Sequence, residues 1–410
     1  MPMLRRYRML DLTRLVTGPF ASHILADMGM DVIKVEEPEP RYGMARDSMT
    51  PYQPTPDGER RASAFNIVAR NKKSIALDLL RPDLRPRSQE VFYRLAREAD
   101  VVLEAYRPGV VKWMGIDYEM LHGINPRIIV CSISGYGQDG PYARYPGHGG
   151  QNSAVASAIG IGEDGQPERG VGAFTGFASG FYAVSAILGA LLEREETGEG
   201  QHIDVSMMGA AMSLTLNQAA RYFRDGTLSE PSTGRAEIDF LQCKDGKFIS
   251  TGNAETVFWE NFCKLIERPQ YTPLSNARGV EFDGMVEDIK AVFLTKTRDE
   301  WLPLLWAAET AAAPVNNVAE AFVDPQVQHI GMAWELTHPT EGAARQIGWP
   351  VRFSRTPVGF ERFAPILGEH TRELLDGAGF SAAEISALER DGIVKSWTGQ
   401  TWVGGAAPSV

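Results

Sequence analysis

The chain has 410 residues, 43% hydrophobic and 23% charged, the balance of an average soluble globular protein and too long for one ordinary domain. Its formal net charge of −11 excludes broad nucleic-acid binding, which needs a basic face, and leaves room only for a local basic pocket. Three separated cysteines (Cys131, Cys243, Cys263), with no CxxC and no Cys/His cluster, argue against a disulfide scaffold or structural zinc and fit a reducing compartment.

In chain order, MPMLRRYRMLDLTRL carries charges but no apolar core of signal length. RMLDLT reads as a strand, GPFASHILADMGM as a helix, and DVIKVEEP as a strand closed by an acidic turn and proline. KKSIALDL, RPRSQEVFYRLAREA, DVVLEAY and RIIVCSISG continue the alternation. Strands alternating with helices predict an α/β fold with a large, open, parallel, Rossmann-like sheet. Ligands of such sheets sit beyond the carboxyl ends of the strands. The loops expected there, VTGPF, EEPEPRYG, EAYRPG and SGYGQDGPYARYPGHGG, are rich in functional residue types.

A long helix is expected from Gly176 onward. Its middle, FYAVSAILGALL, is apolar nearly all round and predicts burial, and EREETGEGQ ends it with Gly198 and Gly200 as chain-reversal positions. The continuous apolar part, Phe181 to Leu192, is shorter than the ~20 residues that cross a bilayer, so no membrane is expected and a cytoplasmic protein is. HIDVSMM reads as a strand and GAAMSLTLNQAARYF as a helix. After Arg224 the texture changes: DGTLSEPSTGRAE reads as a polar linker, and FLQCKDGKFISTG as a hairpin turning at Asp245-Gly246. The expected organisation is a large α/β domain over 1–224, a smaller α+β domain over 225–335, and a linker and helical tail over 336–410 that returns to the first.

Weak motifs are set aside on physical grounds. GYGQDG and GIGEDG have GxGxxG spacing, but PYARYPGHGG after the first cannot open a helix and no strand precedes the second. There is no P-loop, no GxSxG elbow and no metal-ligand spacing among the seven scattered histidines, so neither metal nor cofactor is expected. RNKKS, Arg70 to Ser74, is a compact basic cluster, either a solvated strand entry or a grip on phosphates.

Taken together, LDLTRLVTGPFASHILADMGMDVIKVEEP, RNKKSIALDL, ADVVLEAYRPGVVKWMGIDYEML, NPRIIVCSISGYGQDGPYA, GALLEREETGEGQHIDVSM, TRDEW, AAPVNNVAEAFVDPQV and APILGEHTRELL occur in register over nearly the whole chain. They resemble the family III CoA-transferases, the carnitine and formyl-CoA transferases with the related α-methylacyl-CoA racemases. The resemblance implies an interlocked dimer, each chain with a large and a small domain. It also implies a chemistry in which an Asp carboxylate attacks an acyl-CoA thioester to form a mixed anhydride. CoA thiolate then returns to give an aspartyl-CoA thioester, which passes CoA to an acceptor acid; a carboxylate nucleophile can form both species. Glycine-rich backbone N–H groups would stabilise the oxyanions. Coenzyme A thioester is then a substrate, and the partners are acyl-CoA and carboxylic acids.

One departure is central. The family's Asp lies four residues before the glycine that opens the long helix; that glycine is Gly180, and counting back gives Gly176. Positions 173, 174, 175, 177 and 178 carry no carboxylate, and the nearest, Glu163, Asp164 and Glu168, fall in a preceding loop. The resemblance further implies CoA contacts from Val16, Lys72, Lys73, Leu77, Ala105, Tyr106, Arg107, Trp113, Met114, Ser134 and Tyr136. Tyr106 keeps an aromatic able to stack on adenine, but Ala105 replaces the usual Asn. Trp113, Ser134 and Glu37 stand where the formyl-CoA branch is basic, which weakens the expected grip on the CoA diphosphate. Three readings stay open: a catalytically silent subunit paired with a homologous chain that keeps the Asp, as in heteromeric benzylsuccinate CoA-transferases; a homodimeric CoA-thioester racemase or isomerase using His148 of PGHGG as base; and a non-catalytic acyl-CoA-binding dimer.

Overall fold

The structure, a computed structural model, describes residues 2–39, 52–54, 60–62, 65–161, 166–167, 172–228, 238–275, 280–339 and 342–399. The chain order begins β1 (Arg8–Asp11), α1 (Thr17–Asp27), β2 (Asp31–Glu36), β3 (Tyr52–Pro54), β4 (Arg60–Ala62), α2 (Phe65–Val68), β5 (Lys72–Leu77), α3 (Arg85–Arg97), β6 (Val101–Glu104), α4 (Val110–Met114), α5 (Tyr118–Ile124), β7 (Ile129–Ser134), α6 (Gly149–Val155), α7 (Gly172–Thr197), β8 (His202–Ser206), α8 (Met207–Ser213) and α9 (Leu216–Asp225). It continues with β9 (Phe240–Gln242), β10 (Phe248–Thr251), α10 (Thr256–Leu265), α11 (Val280–Phe293), α12 (Arg298–Ala307), β11 (Ala312–Pro314), α13 (Val318–Val323), α14 (Pro325–His329), β12 (Ala333–His338), β13 (Gly342–Ile347), α15 (Thr371–Gly377), α16 (Ala382–Arg390) and β14 (Val394–Lys395).

Two compact units emerge: Met1–Leu216 with His329–Val410, and Asn217–Gln328. The second therefore begins and ends earlier than the expected 225–335. The expected boundary at 335 falls inside β12, which pairs with β13 and belongs to the first unit.

The first unit holds a seven-stranded sheet in the order β14-β5-β2-β1-β6-β7-β8. Its first six strands in sequence are parallel to their neighbours, and β14 joins antiparallel to β5 at the edge. Alternate residues explain the two covered faces. Met9, Val32, Val101, Leu103, Ile129, Cys131 and Ile133 pack with α1 and α7. Leu10, Ile33, Ile75, Val102 and Val130 pack with residues of α3, α5, α15 and α16. Each such fully buried aliphatic side chain contributes roughly 1.5–3 kcal/mol. The expected Rossmann-like α/β sheet is present, and the tail returns to it.

Arg70 explains part of that return. It is fully buried, its Nη2 lies 2.6 Å from Asp27 Oδ2, its Nη1 donates to the Ile347 carbonyl at 2.6 Å, and its guanidinium lies over the Trp334 ring. The basic run that opens β5 is therefore an internal anchor for β12 and β13, not a phosphate grip, at its first residue.

Two expectations about the long helix change. α7 begins at Gly172, so Gly176 lies inside it rather than at its front. Nor is α7 buried all round. Ala183, Val184, Ile187, Ala190 and Leu191 face the core, while Phe174, Phe177, Phe181, Tyr182 and Leu192 are exposed. A single sheet face covers only one side of a helix. By length and composition alone Phe174–Thr197 is apolar enough to span a membrane, and half of that window is buried in the chain.

The second unit has the antiparallel order β11-β10-β9, with Gly246 at φ +76° turning the hairpin between β9 and β10 as the Asp245-Gly246 signal predicts. Its core stacks Trp259, Phe262, Phe293 and Trp301.

Candidate active site

The carboxyl ends of the parallel strands gather two clusters. The first is built by α1 and α7. Val16 is the N-cap residue of α1, and no side chain caps that helix. A Cβ placed on Gly176 would lie 3.1 Å from Thr17 Oγ1 and 3.8 Å from Val16 Cγ1. One helical turn on, a Cβ on Gly180 would lie 2.8 Å from the Phe20 ring and 3.2 Å from the Thr17 carbonyl. The helices thus cross too closely at Gly180 for any side chain, whereas position 176 admits one after a small shift of Thr17. Phe20 closes the crossing edge-on against Phe177 and Phe181, with centroids 4.9 and 5.2 Å away. Ser153 of α6 bonds Thr175 at 2.5 Å between hydroxyl oxygens, fixing the approach to Gly176.

Beneath this cluster lies Asp11, fully buried at the end of β1. Its Oδ1 accepts from the Thr13 amide at 2.9 Å and the Thr13 hydroxyl at 2.5 Å. Its Oδ2 accepts from the Ser22 hydroxyl at 2.6 Å and Lys72 Nζ at 3.2 Å. Burial pushes the Asp11 carboxyl up, but the Lys72 and Lys34 ammonium groups and the two hydroxyls outweigh it and hold the group below its ordinary value. Lys34 Nζ also donates to the Thr13 carbonyl at 3.0 Å. Asp11 is thus a saturated anchor for the loop into α1.

The second cluster lies on the α3–α5 face. The Tyr106 hydroxyl accepts from Arg14 Nη2 at 2.9 Å, and Arg14 pairs with Glu37 at 2.8 Å while lying over the Tyr106 ring. Arg85, the first residue of α3, lies 3.8 Å above the exposed Trp113 ring. Its Nε and Nη2 are buried with no hydrogen-bond partner among the described residues. Arg107 is exposed beside Tyr106. Behind them Glu104, fully buried at the end of β6, accepts from the Tyr106 amide at 2.7 Å. Burial pushes the Glu104 carboxyl up to about 7; Ser132 and the Tyr106 amide pull it down, and Asp204 pushes it further up.

A family model described as CoA-transferase family III matches residues 4–371. The chain belongs to CoA-transferase family III. Among its relatives, the human succinyl-CoA:glutarate CoA-transferase is 33% identical over 90% of this chain and 84% of that one. The Agrobacterium fabrum succinate–glutarate CoA-transferase is 34% identical over 95% and 97%, and an Escherichia coli formyl-CoA:oxalate CoA-transferase 30% over 95% and 98%. Among solved structures, a CaiB/BaiF family protein from Brucella suis superposes with a TM-score of 0.77 at 30% identity, over 92% of this chain and 99% of that one.

For a family III chain, the residues expected to hold CoA divide by position. Val16 stands beside Gly176, and Tyr106, Arg107 and Trp113 share the basic, aromatic α3–α5 cluster with the exposed Ala105. Ser134 and Tyr136 follow β7; the Ser134 hydroxyl accepts from the Gly137 amide at 3.0 Å, and the Tyr136 ring meets Tyr142 edge-on. Four residues are turned elsewhere. Leu77 and Met114 are buried in the core of the α3–α5 face. Lys72 is fully buried against Asp11, so its ammonium is not presented to a phosphate. Lys73, the second residue of β5, lies toward the amino end of the sheet, 2.8 Å from Glu373 and 3.8 Å from Asp31. His148 stands exposed at the N-cap position of α6, its amide donating to Gln151 Oε1 at 3.0 Å. Glu163, Asp164 and Glu168 lie outside the described residues.

Arg14 and Arg85 are the basic residues of this cluster that sequence reasoning passes over. They restore positive charge where Trp113 and Glu37 suggested loss. The available signal was positional: each is a basic residue in the first loop or helix turn after a parallel strand. Glu104 was legible only as a charged residue ending the apolar run DVVLE.

Proposed function

We propose that this chain is a subunit of an enzyme that moves CoA between carboxylic acids, silent in nucleophilic attack itself and paired with a homologous chain that has aspartate at the position of Gly176. The observation that carries this reading is the seat at 176: no side chain, and among the described residues only Thr17 and Val16 atoms within 4 Å of where one would start. The buried carboxylate below it, Asp11, is saturated by the Lys72 ammonium and two hydroxyls and cannot swing out without stranding Lys72.

The chain's contribution is then binding and shaping. Tyr106 offers a face for adenine, and Arg85, Arg14 and Arg107 offer donors to the CoA phosphates. The exposed Phe174, Phe177, Phe181, Tyr182, Leu192 and Met212 leave several large apolar side chains on the surface of this chain and support a tightly associated partner. The names of the relatives support small carboxylic acids as the exchanged groups. A cytoplasmic site of action fits the same reading.

Production of this chain alone and together with an aspartate-bearing homologue, assayed by passage of isotope-labelled acid into thioester, tests it. The expected result is no transfer by the single chain and transfer by an equimolar complex; turnover by the single chain overturns it. The isomerase reading rests on His148, exposed and without a second base at 176. Deuterium uptake at the α-carbon of an acyl-CoA, abolished in His148→Ala, would favour that reading instead.

A further inference from the structure

Glu104, Ser132 and Asp204 stand in one row across the carboxyl ends of β6, β7 and β8. Two residues on from Val102 and Val130, the first two share their side of the sheet, the one that carries the α3–α5 cluster. Glu104 is fully buried and no cation among the described residues pairs with it. The groups that face it are the Tyr106 amide at 2.7 Å, the Ser132 hydroxyl, and Asp204, whose Oδ2 accepts from the Gln138 amide at 2.8 Å. Its charge also reaches the Tyr106 hydroxyl, which Arg14 and Glu37 flank, and the Cys131 thiol, which burial pushes up. A buried carboxyl beside a second carboxylate, with no cation of its own, ionises reluctantly. Burial pushes Glu104 up to about 7 against the pull of Ser132 and the Tyr106 amide, and Asp204 adds to the push.

The proton on this carboxyl has a way out. The Ser132 hydroxyl lies 3.0 Å from Nε2 of the exposed His202, whose ring stacks on Tyr118. When Glu104 ionises, its proton passes to Ser132 Oγ, the Ser132 proton passes to His202 Nε2, and the imidazole releases its Nδ1 proton to water. Serine and histidine each end neutral, and only Glu104 has changed charge. One tyrosine separates that charge from the cluster, because the residue whose amide bonds Glu104 has the hydroxyl that bonds Arg14 Nη2 at 2.9 Å.

We propose that Glu104 is a pH switch on nucleotide affinity: protonated, it leaves the positive charge of Arg14, Arg85 and Arg107 undiminished, and ionised, it sets a negative charge behind them that competes with a ligand's phosphates. Unit charges on the order of 10 Å apart, in a medium between water and protein interior, change a binding constant about 5- to 10-fold. Glu104 touches no ligand in this account; it acts through Tyr106 and the arginines. The inference rests on the reading of the α3–α5 cluster as the place that holds CoA, and it needs neither Gly176 nor a partner chain.

Calorimetric titration of the purified full chain with dephospho-CoA, whose diphosphate diester does not titrate over the range used, tests it at constant ionic strength. The quantity read is the Kd of the wild type divided by that of Glu104→Gln, so that groups common to both proteins cancel. The ratio should be near one at about pH 6 and rise to about 5–10 at about pH 8. Ser132→Ala removes a hydrogen bond to the ionised carboxyl and should move that rise to higher pH by about 1–2 units. With the probe bound, a ratio flat across the range, or a rise at the same pH in Ser132→Ala, would overturn the switch and leave the CoA reading of the cluster standing. Absence of binding at both pH values in wild type and Glu104→Gln alike would sink that reading, and the switch with it.

Discussion

Lys72 has no exposed surface, and its ammonium donates to Asp11, to the Ser22 hydroxyl at 2.7 Å and to the Pro19 carbonyl at 3.2 Å. In the sequence it is one of two adjacent lysines opening a strand, and nothing local distinguishes the one that turns in from the one that turns out. Only the pleat does, because neighbours on a strand face opposite sides. Replacing Lys72 by Met leaves the Asp11 charge buried without its partner, and should cost roughly 3–5 kcal/mol at neutral pH in urea unfolding. Because the Asp11 carboxyl is held below its ordinary value of 3.8, its stabilisation is present above that value and lost as pH falls through the lowered one. The deficit of Lys72→Met should therefore shrink in acid as Asp11 protonates; a deficit independent of pH would contradict the pairing. Glu104 has the opposite sign. Its value of about 7 lies above the ordinary 4.5, so the stability tied to its protonated form is full below about 4.5 and is lost as pH rises through about 7. Glu104→Gln, neutral throughout and still able to accept from the Tyr106 amide, should gain roughly 3 kcal/mol on the wild type between about pH 4 and pH 8. Parallel stability curves for the two proteins would refute it.

The elements of the sheet were legible because each strand carries an apolar run and each crossover helix a 3.6-residue stripe. The start of α7 was not. GAFTGFASG reads as turn-like, since glycines at 172, 176 and 180 are poor helix formers, yet packing against α1 and α6 holds all of it helical. Two of those glycines differ in what they permit. Gly180→Ala puts a methyl 2.8 Å from Phe20 and 3.2 Å from a backbone carbonyl, and should destabilise by about 1–3 kcal/mol. Gly176→Ala meets the Thr17 hydroxyl at 3.1 Å and the Val16 side chain at an ordinary 3.8 Å, and its helix propensity gain of about 1 kcal/mol should leave it near wild type. Equal losses in chemical denaturation would show that the crossing is not tightest at Gly180.

At the scale of the whole molecule, alternation of strands and helices, together with the family motifs, made the large sheet and the returning tail readable in advance. The unit boundaries were less so. The β12–β13 hairpin shares the texture of the segment before it, and long-range contacts such as those of Arg70 to Ile347 and Trp334 and of Gln346 to the Asn66 carbonyl draw it into the first unit. The basic groups of the α3–α5 cluster were hidden for a related reason: Arg85 and Trp113 come from different crossovers and meet only in the fold. The proposal that Gly176 stands where a nucleophilic carboxylate would rests on the sequence register alone, because a glycine needs no structure to lack a side chain. Intact-mass measurement of this chain after incubation with acyl-CoA, alone and with the aspartate-bearing partner, tests that claim most directly. The prediction is an unmodified mass for this chain in both samples, with any acyl or CoA adduct confined to the partner; a covalent adduct on this chain would contradict it.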